Sequence, residues 1–135
     1  MFMRIALIPL FTASVLIFYT GVLAAEATRE NILGSWEGPL VIGRDNMTLA
    51  FTFTLQGEEM AAVLTSSGLG IYGMPADTVI VDGRRITIRI PRLDLEFTGV
   101  ARMTKSGAVM RIDGDWFQYS EMVPVVLLPV ENPSF

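Results

Sequence analysis

Apolar and polar residues alternate along most of this chain, with a period of two that begins after residue 33 and continues to residue 130. The clearest case starts at Met47, where apolar residues occupy every second position through Leu55 and threonines occupy most positions between them. Because successive side chains of a β-strand point to opposite faces, this pattern predicts a strand with one apolar and one Thr-rich face. Helical periodicity is hard to find in this part of the chain.

Eight strands are predicted from the same alternation and from the turn signals between apolar runs. The predicted strands are Trp36–Ile42, residues 47–56, Met60–Ser66, Thr78–Val81, Arg85–Ile90, Leu93–Arg102, Ala108–Asp113 and Met122–Val130. Asp82-Gly83 is the strongest hairpin signal, because this dipeptide favours the tight turns that join antiparallel strands. The glycine-rich residues between Ser67 and Asp77 are predicted to form the longest connection.

Short strands joined by tight turns in a chain of 135 residues predict an all-β fold, a small antiparallel up-and-down barrel of about eight strands. Closure of the sheet would remove the exposed strand edges that otherwise invite aggregation. The interior of such a barrel is just wide enough to be filled by side chains or to hold one small ligand. Residues 28–131 are expected to form this barrel as a single domain, and a two-sheet sandwich is the alternative.

Residues 1–25 have the features of an export signal. Arg4 lies near the start, residues 5–25 carry no charge, and small-x-small patterns that signal peptidase accepts end at Ala24 and at Ala27. A cleaved signal peptide is therefore expected, with the remaining chain periplasmic or secreted. The alternative is an uncleaved anchor in the inner membrane formed by residues 5–25, because this stretch is long enough to span a bilayer.

The composition of the chain excludes several kinds of chemistry. Cysteine is absent, which excludes disulfides and thiolate catalysis, and so is histidine, the commonest general base and metal ligand. The formal net charge is -4, and no run of Lys or Arg is long enough to follow a phosphate backbone. A Gly-x-Ser-x-Gly nucleophile elbow is also absent. We therefore expect no enzymatic activity, no cofactor or metal, and no binding of nucleic acid.

Two pairs of carboxylates have the i,i+2 spacing that places both side chains on one face of a strand: Asp94 with Glu96, and Asp113 with Asp115. Paired carboxylates can perform acid–base chemistry or bind a cation. The first pair, however, alternates with apolar residues. That alternation favours a solvent-exposed outer face over a catalytic or cation-binding role.

Trp36 and Trp116 each lie two positions after a glycine, Gly34 and Gly114 respectively. The indole rings could be platforms on which a ligand stacks, or they could plug the barrel, with each glycine allowing a close approach of the backbone. The plug interpretation is favoured, so these four residues are predicted to be structural.

The long glycine-rich connection is the main candidate for a binding site, because long loops are often functional. It could form a lid at the barrel mouth or a patch that docks a partner, or it could fold back over the core. Phenylalanine and methionine on the inner faces of the strands suit an adaptable apolar cavity and a filled core equally well. The predicted ligand-binding residues are Leu69, Tyr72, Met74, Phe53 and Phe97.

Several short motifs occur in a characteristic order. They are residues 34–38 (GSWEG), 66–68 (SSG), 73–79 (GMPADTV), 97–99 (FTG), 112–118 (I-x-G-x-W-x-Q) and 124–125 (PV). This order resembles the small lipocalin-like β-barrel domain found N-terminal to the catalytic domain of secreted bacterial α/β-hydrolases of the serine esterase and peptidase-like kinds. The likeness covers nearly the whole chain after the export segment.

In that family the barrel is non-catalytic, and the nucleophile, acid and histidine belong to the domain that follows it. The resemblance therefore implies a free-standing accessory barrel and transfers no active site to this chain. Gly34-x-Trp36 is also similar to the opening signature of lipocalins, in which the tryptophan plugs the closed end of the barrel.

Two functions remain in view after these exclusions. The first is an exported, non-catalytic barrel that binds a small apolar ligand or an envelope component. The alternative is an interaction or accessory module for a separately encoded secreted hydrolase. A membrane is expected as a partner only if the export segment stays uncleaved.

Overall fold

The computed structural model describes residues 23–134. Residues 23–31 are helical (α1), and single turns of 3-10 helix lie at Ser67–Leu69 and Pro91–Leu93. The strands are β1 (Gly34–Ile42), β2 (Asp45–Gln56), β3 (Glu59–Ser66), β4 (Ile71–Pro75), β5 (Thr78–Asp82), β6 (Arg85–Ile90), β7 (Leu95–Met103), β8 (Val109–Gln118) and β9 (Glu121–Val130). The predicted export segment, residues 1–25, lies almost entirely outside the described residues.

All nine strands belong to one antiparallel sheet in the order β4-β3-β2-β1-β9-β8-β7-β6-β5. Strands that are consecutive in sequence pair with each other, apart from β4 and β5, and β9 returns to pair with β1. The sheet curls into a half-barrel around one apolar core. The predicted all-β, up-and-down, barrel-like fold is therefore confirmed.

The sheet has nine strands rather than about eight, because the connection predicted after the third strand contains β4. Gly73 has a left-handed φ of 71°, and its N–H donates to Thr65 Oγ1 at 3.2 Å. This irregular residue breaks the alternation, so that Tyr72 is exposed while Met74, two positions later, packs against the core. The strand consequently lacks the period-two signal that revealed the others.

Two hairpin turns show how local chemistry sets the register of the strands. Gly83, with a φ of 61°, begins the two-residue turn between β5 and β6, as the Asp-Gly signal predicted. Tyr119 and Ser120 join β8 to β9 with φ values of 51° and 64°, and a type I′ turn requires positive φ at both of its central residues. The Asp94 carboxylate supports this glycine-free turn by accepting a hydrogen bond from the Tyr119 N–H at 3.2 Å.

Inward-facing side chains fill the middle of the half-barrel. Phe51 lies at its centre, with ring centroids 5.2 Å from Phe97 and 6.4 Å from Phe53. The largest fully buried side chains are Trp116, Phe51, Phe53, Phe97, Ile32, Leu40, Leu49, Leu64, Ile86, Ile88, Ile90 and Ile112. Burial of this apolar surface is the main stabilising contribution in a chain that has no disulfide.

The end of the half-barrel at which β1 begins is covered by α1. Ile32, just after the helix, is fully buried. The Trp36 indole N–H donates to the Ile32 carbonyl oxygen at 2.7 Å, and the Trp36 side chain is buried beside it. Trp36 therefore has the position and the satisfied hydrogen bond of a packing residue at this end of the core.

The ladder between β1 and β9, which we call the seam, is short. It pairs Ser35 with Val130, Trp36 with Pro129 and Glu37 with Leu128. Beyond these pairs the two main chains stay very close. A Cβ added at Gly38 would overlap the carbonyl oxygen of Val126. The absence of a side chain at this position is what allows the two strands to meet.

Candidate functional site

The five predicted ligand-binding residues do not form one site. Phe53 and Phe97 are fully buried in the core, and Leu69 and Met74 are half-buried against it. Tyr72 is 73% exposed on the outside of β4. The structure thus divides the set between the core and the surface.

Gly99 and Gly114 face each other across β7 and β8, beneath the ring of Phe97. A Cβ at Gly114 would overlap the Phe97 ring, and a Cβ at Gly99 would lie 2.7 Å from Ile112 Cγ2. The glycines leave the space that the aromatic ring occupies. Phe97-Thr98-Gly99 and Gly114-x-Trp116 are therefore two halves of one packing arrangement in the core.

Trp116 is 1% exposed, so its ring is not accessible as a stacking platform. Its indole N–H has no hydrogen-bond partner, and it is the one buried side-chain nitrogen or oxygen in residues 23–134 of which this is true. An unpaired N–H of this kind lowers stability relative to a bonded one. Shape complementarity to the neighbouring apolar side chains, rather than hydrogen bonding, holds this indole in place.

The two carboxylate pairs have different surroundings. Asp94 lies outside β7 in a left-handed conformation, with a φ of 50°, after the turn that begins at Pro91. The prediction that Asp94 and Glu96 share a strand face is therefore wrong, because proline starts a 3-10 turn there and the strand begins one residue later. Asp113 and Asp115 do lie on β8, and their partners across the ladder are outward-facing.

Asp113 forms ion pairs with two arginines on the outer face. Its Oδ1 accepts from Arg111 Nε at 2.9 Å and its Oδ2 accepts from Arg102 Nε at 3.0 Å. The hydrogen bond from Arg111, followed by that from Arg102, holds the pKa of the Asp113 carboxyl below its usual range. Both carboxylate oxygens are thus occupied by structural partners, which argues against a catalytic role.

This depressed pKa gives a pH-dependent contribution to stability. A carboxyl whose pKa is lower in the folded protein stabilises the fold above its unfolded value of about 3.9, and the contribution is lost as pH falls through the folded pKa. We expect Asp113→Asn to lower the free energy of unfolding at neutral pH by up to about 1 kcal/mol, since the pairs are solvent-exposed. Urea titrations at neutral and acidic pH should show the difference from wild type shrinking as pH falls.

Asp115→Asn is the matched control, because it removes the same charge two positions away without breaking an ion pair of the described residues. Its unfolding free energy at neutral pH should stay within about 0.5 kcal/mol of wild type. An Asp113→Asn deficit that persisted unchanged at low pH would contradict the ion-pair explanation.

Strand β9 is apolar on both faces, which is unusual for an antiparallel sheet with one face in solvent. Its inward residues Val125 and Leu127 are buried in the core. Its outward residues and one neighbour on β8 form a surface that we call the β9 face: Phe117, Met122, Pro124, Val126 and Leu128. Four of these side chains are between 44% and 64% exposed, and Pro124 is also exposed.

Charged residues, most of them acidic, border the β9 face: Asp113, with its two arginine partners, lies directly across from Val126. Asp115 is exposed and lies directly across from Pro124, and Glu121 is exposed next to Met122. An open hollow of about 320 Å³ lies between Glu96, Asp115 and the side chains of Phe117 and Met122. An apolar centre with a charged border is an arrangement that protein contact surfaces often have.

The sequence showed β9 as an apolar strand but not which side of it would be left uncovered.

None of the helices in residues 23–134 has both the length and the apolar character that a membrane span requires. No group of three or more acidic side chains in the same range is placed to hold a metal ion. Comparison of the chain with models of known families, with curated proteins and with solved structures finds no match.

Proposed function

We propose that this domain is an exported, non-catalytic interaction module that docks on a partner protein through its β9 face. The observation that carries the proposal is the row of exposed apolar side chains on the outside of β9, opposite a row that already packs in the core. Solvent-facing positions of an antiparallel strand are ordinarily polar. Contiguous exposed apolar surface with a polar border is typical of a protein–protein contact.

The acidic border favours a different protein over a second copy of this chain. The border is net negative even with Arg102 and Arg111 beside Asp113, so two copies that met face to face would bring together surfaces of the same sign of charge. Like charges brought together across an interface oppose association and act against the wrong partner. A partner with an apolar centre and a basic border fits this surface better.

We take the class of partner from the resemblance that the motif order of the chain suggests. The resemblance to accessory barrels of secreted α/β-hydrolases supports a separately encoded secreted hydrolase as the protein that docks here. Export through the first 25 residues would place both proteins in the same compartment. The reaction would then belong entirely to the partner, in keeping with the lack of histidine and cysteine in this chain.

Binding of a small apolar ligand in the interior receives less support from the geometry. The space that such a ligand would take is occupied by Phe51, Phe97 and Trp116, all of which are fully buried. A ligand could enter only if these side chains moved. Native mass spectrometry of the purified protein would reveal a bound small molecule as added mass, and that result would favour the ligand function instead.

The docking proposal is tested with Val126→Lys, which places a charge at the centre of the β9 face. We expect it to weaken the affinity of the full-length chain for its partner by at least roughly tenfold, since a lysine must be desolvated in an apolar contact. The partner is first identified by cross-linking in the producing cells. Its dissociation constant is then measured with purified proteins by biolayer interferometry.

Leu55→Lys is the matched control, because Leu55 on β2 is 45% exposed and Val126 is 46% exposed. It should leave the affinity for the partner unchanged. The proposal is wrong if Val126→Lys binds as tightly as Leu55→Lys, or if the cross-linked partner is a second copy of this chain. A partner without a hydrolase domain would overturn only the assignment of its class.

A further inference from the structure

The curled sheet leaves two strand edges unpaired opposite each other. On its outer side β3 pairs with β4 only from Val63 to Ser66, so its first half, Glu59–Ala62, is not paired with a strand there, although part of β5 lies near β3. β5 pairs with β6 alone. Ala76, between β4 and β5, donates its N–H to the Ala62 carbonyl oxygen at 2.8 Å and holds the two edges together at one end. Below this link lies an opening that we call the slot.

The main chain of both edges points hydrogen-bonding groups into the slot. A two-residue turn makes Gln56 and Glu59 a hydrogen-bonded pair, so the peptide groups of Met60 point away from β2. The turn between β5 and β6 makes Asp82 and Arg85 such a pair in the same way. The N–H and C=O groups of Val79 and Val81 therefore point away from β6, toward the slot.

The slot has an apolar floor and an acidic border. Met60, Val79 and Val81 form its floor, where each packs partly against the core. Glu58, Glu59 and Asp77 lie around its opening, which encloses about 480 Å³. The one cation that lines it, Arg29 of α1, already donates to the Glu58 carbonyl oxygen. The lining is therefore net negative.

We propose that the slot binds an extended basic segment of a partner protein by strand addition along the edge of β5. Unpaired edge groups are a template for an incoming strand, whose main chain supplies the missing hydrogen bonds. Successive side chains of that strand alternate in direction, so one set faces the apolar floor and the other faces the acidic border. The ligand is thus a segment in which aliphatic and basic residues alternate.

This site is separate from the β9 face and is carried by different observations. It uses the main chain of β5 and the carboxylates of the β2–β3 turn, whereas the β9 face uses side chains of β8 and β9. Variants of one surface therefore test it without altering the other.

The test uses a fluorescein-labelled, end-capped heptapeptide of alternating lysine and valine, titrated with the full-length protein by fluorescence anisotropy. We expect saturable binding that shifts the amide NMR signals of Val79 and Val81. A glutamate–valine peptide should bind at least roughly tenfold more weakly because the border is acidic. A lysine–valine peptide N-methylated at alternate backbone nitrogens should also lose at least roughly tenfold in affinity, because it can no longer donate to the edge.

Three protein variants complete the experiment. Glu58→Lys combined with Glu59→Lys should lower the affinity for the lysine–valine peptide at least roughly tenfold. Glu121→Lys, which replaces an exposed acid outside the slot, should leave this affinity unchanged. Val81→Pro removes an outward N–H without removing a bond to β6, and it should weaken binding too. If that variant fails to fold, the N-methylated peptide still tests the edge.

Equal binding of the N-methylated and unmodified peptides would show a merely electrostatic association and would overturn strand addition. NMR shifts confined to the edge of β4 or to the β9 face would overturn the assignment to the slot. The absence of any binding by the lysine–valine peptide would overturn the proposal as a whole.

Discussion

Replacing Phe97 with alanine is expected to lower the free energy of unfolding by about 3–5 kcal/mol, the usual range for truncation of a buried phenylalanine. The ring is fully buried, lies tilted against the ring of Phe51, and fills the space above Gly99 and Gly114. Neither glycine has a side chain that could move into the cavity left behind. The loss should therefore fall toward the upper part of the range. Urea denaturation followed by far-UV circular dichroism measures it.

Phe117→Ala is the matched control, because Phe117 lies on the neighbouring strand but faces outward and is 44% exposed. Its removal should change the free energy of unfolding by less than about 1 kcal/mol. Similar losses for the two variants would contradict the assignment of inner and outer faces. The same protein also serves the docking experiment, since Phe117 belongs to the β9 face.

Gly38→Ala is expected to destabilise the protein by about 3 kcal/mol or more, the upper end of the cost of overpacking. The added Cβ would overlap the Val126 carbonyl oxygen, which is a main-chain atom and cannot rotate away. Strand β9 must then move from β1, which breaks the seam. Because the seam is, within residues 23–134, the one ladder that joins strands distant in sequence, the damage should be concentrated there.

Amide hydrogen exchange locates that damage. In Gly38→Ala the amides of Ser35, Glu37, Leu128 and Val130 should lose more protection than those of β6 and β7, each compared with wild type. Val41→Ala, an exposed change on the same strand, should leave seam protection unaltered. Uniform loss of protection over the whole sheet would contradict the expectation that the damage is concentrated in the seam.

The regular part of the fold could be predicted because the apolar and polar positions of each strand match its buried and exposed faces. Arg85–Ile90 alternates isoleucine with polar residues, and β6 has the predicted bounds. Strand β8 was predicted to end at Asp113 but continues to Gln118. The pattern fails at Gly114, which is glycine because of the Phe97 ring on the neighbouring strand. A requirement set by a residue distant in sequence is invisible to local periodicity.

The candidate sites were harder to predict for a similar reason. The apolar outward positions of β9 are visible in the sequence, but a run that is apolar at most positions also fits a strand buried on both faces. The slot depends on where β4 stops pairing with β3, which Gly73 and the shifted register of that ladder determine. Neither the uncovered face nor the unpaired edges follow from any single strand.

The seam also has a consequence for how the chain folds. Every other ladder joins strands that are consecutive in sequence, so each hairpin can form with little loss of chain entropy. The pairing of β1 with β9 joins the first and the last strand of the sheet in sequence. It therefore carries most of the entropic cost of closing a long loop. We therefore expect the local hairpins to form fast and the pairing of β1 with β9, which completes the half-barrel, to be the slow step of folding.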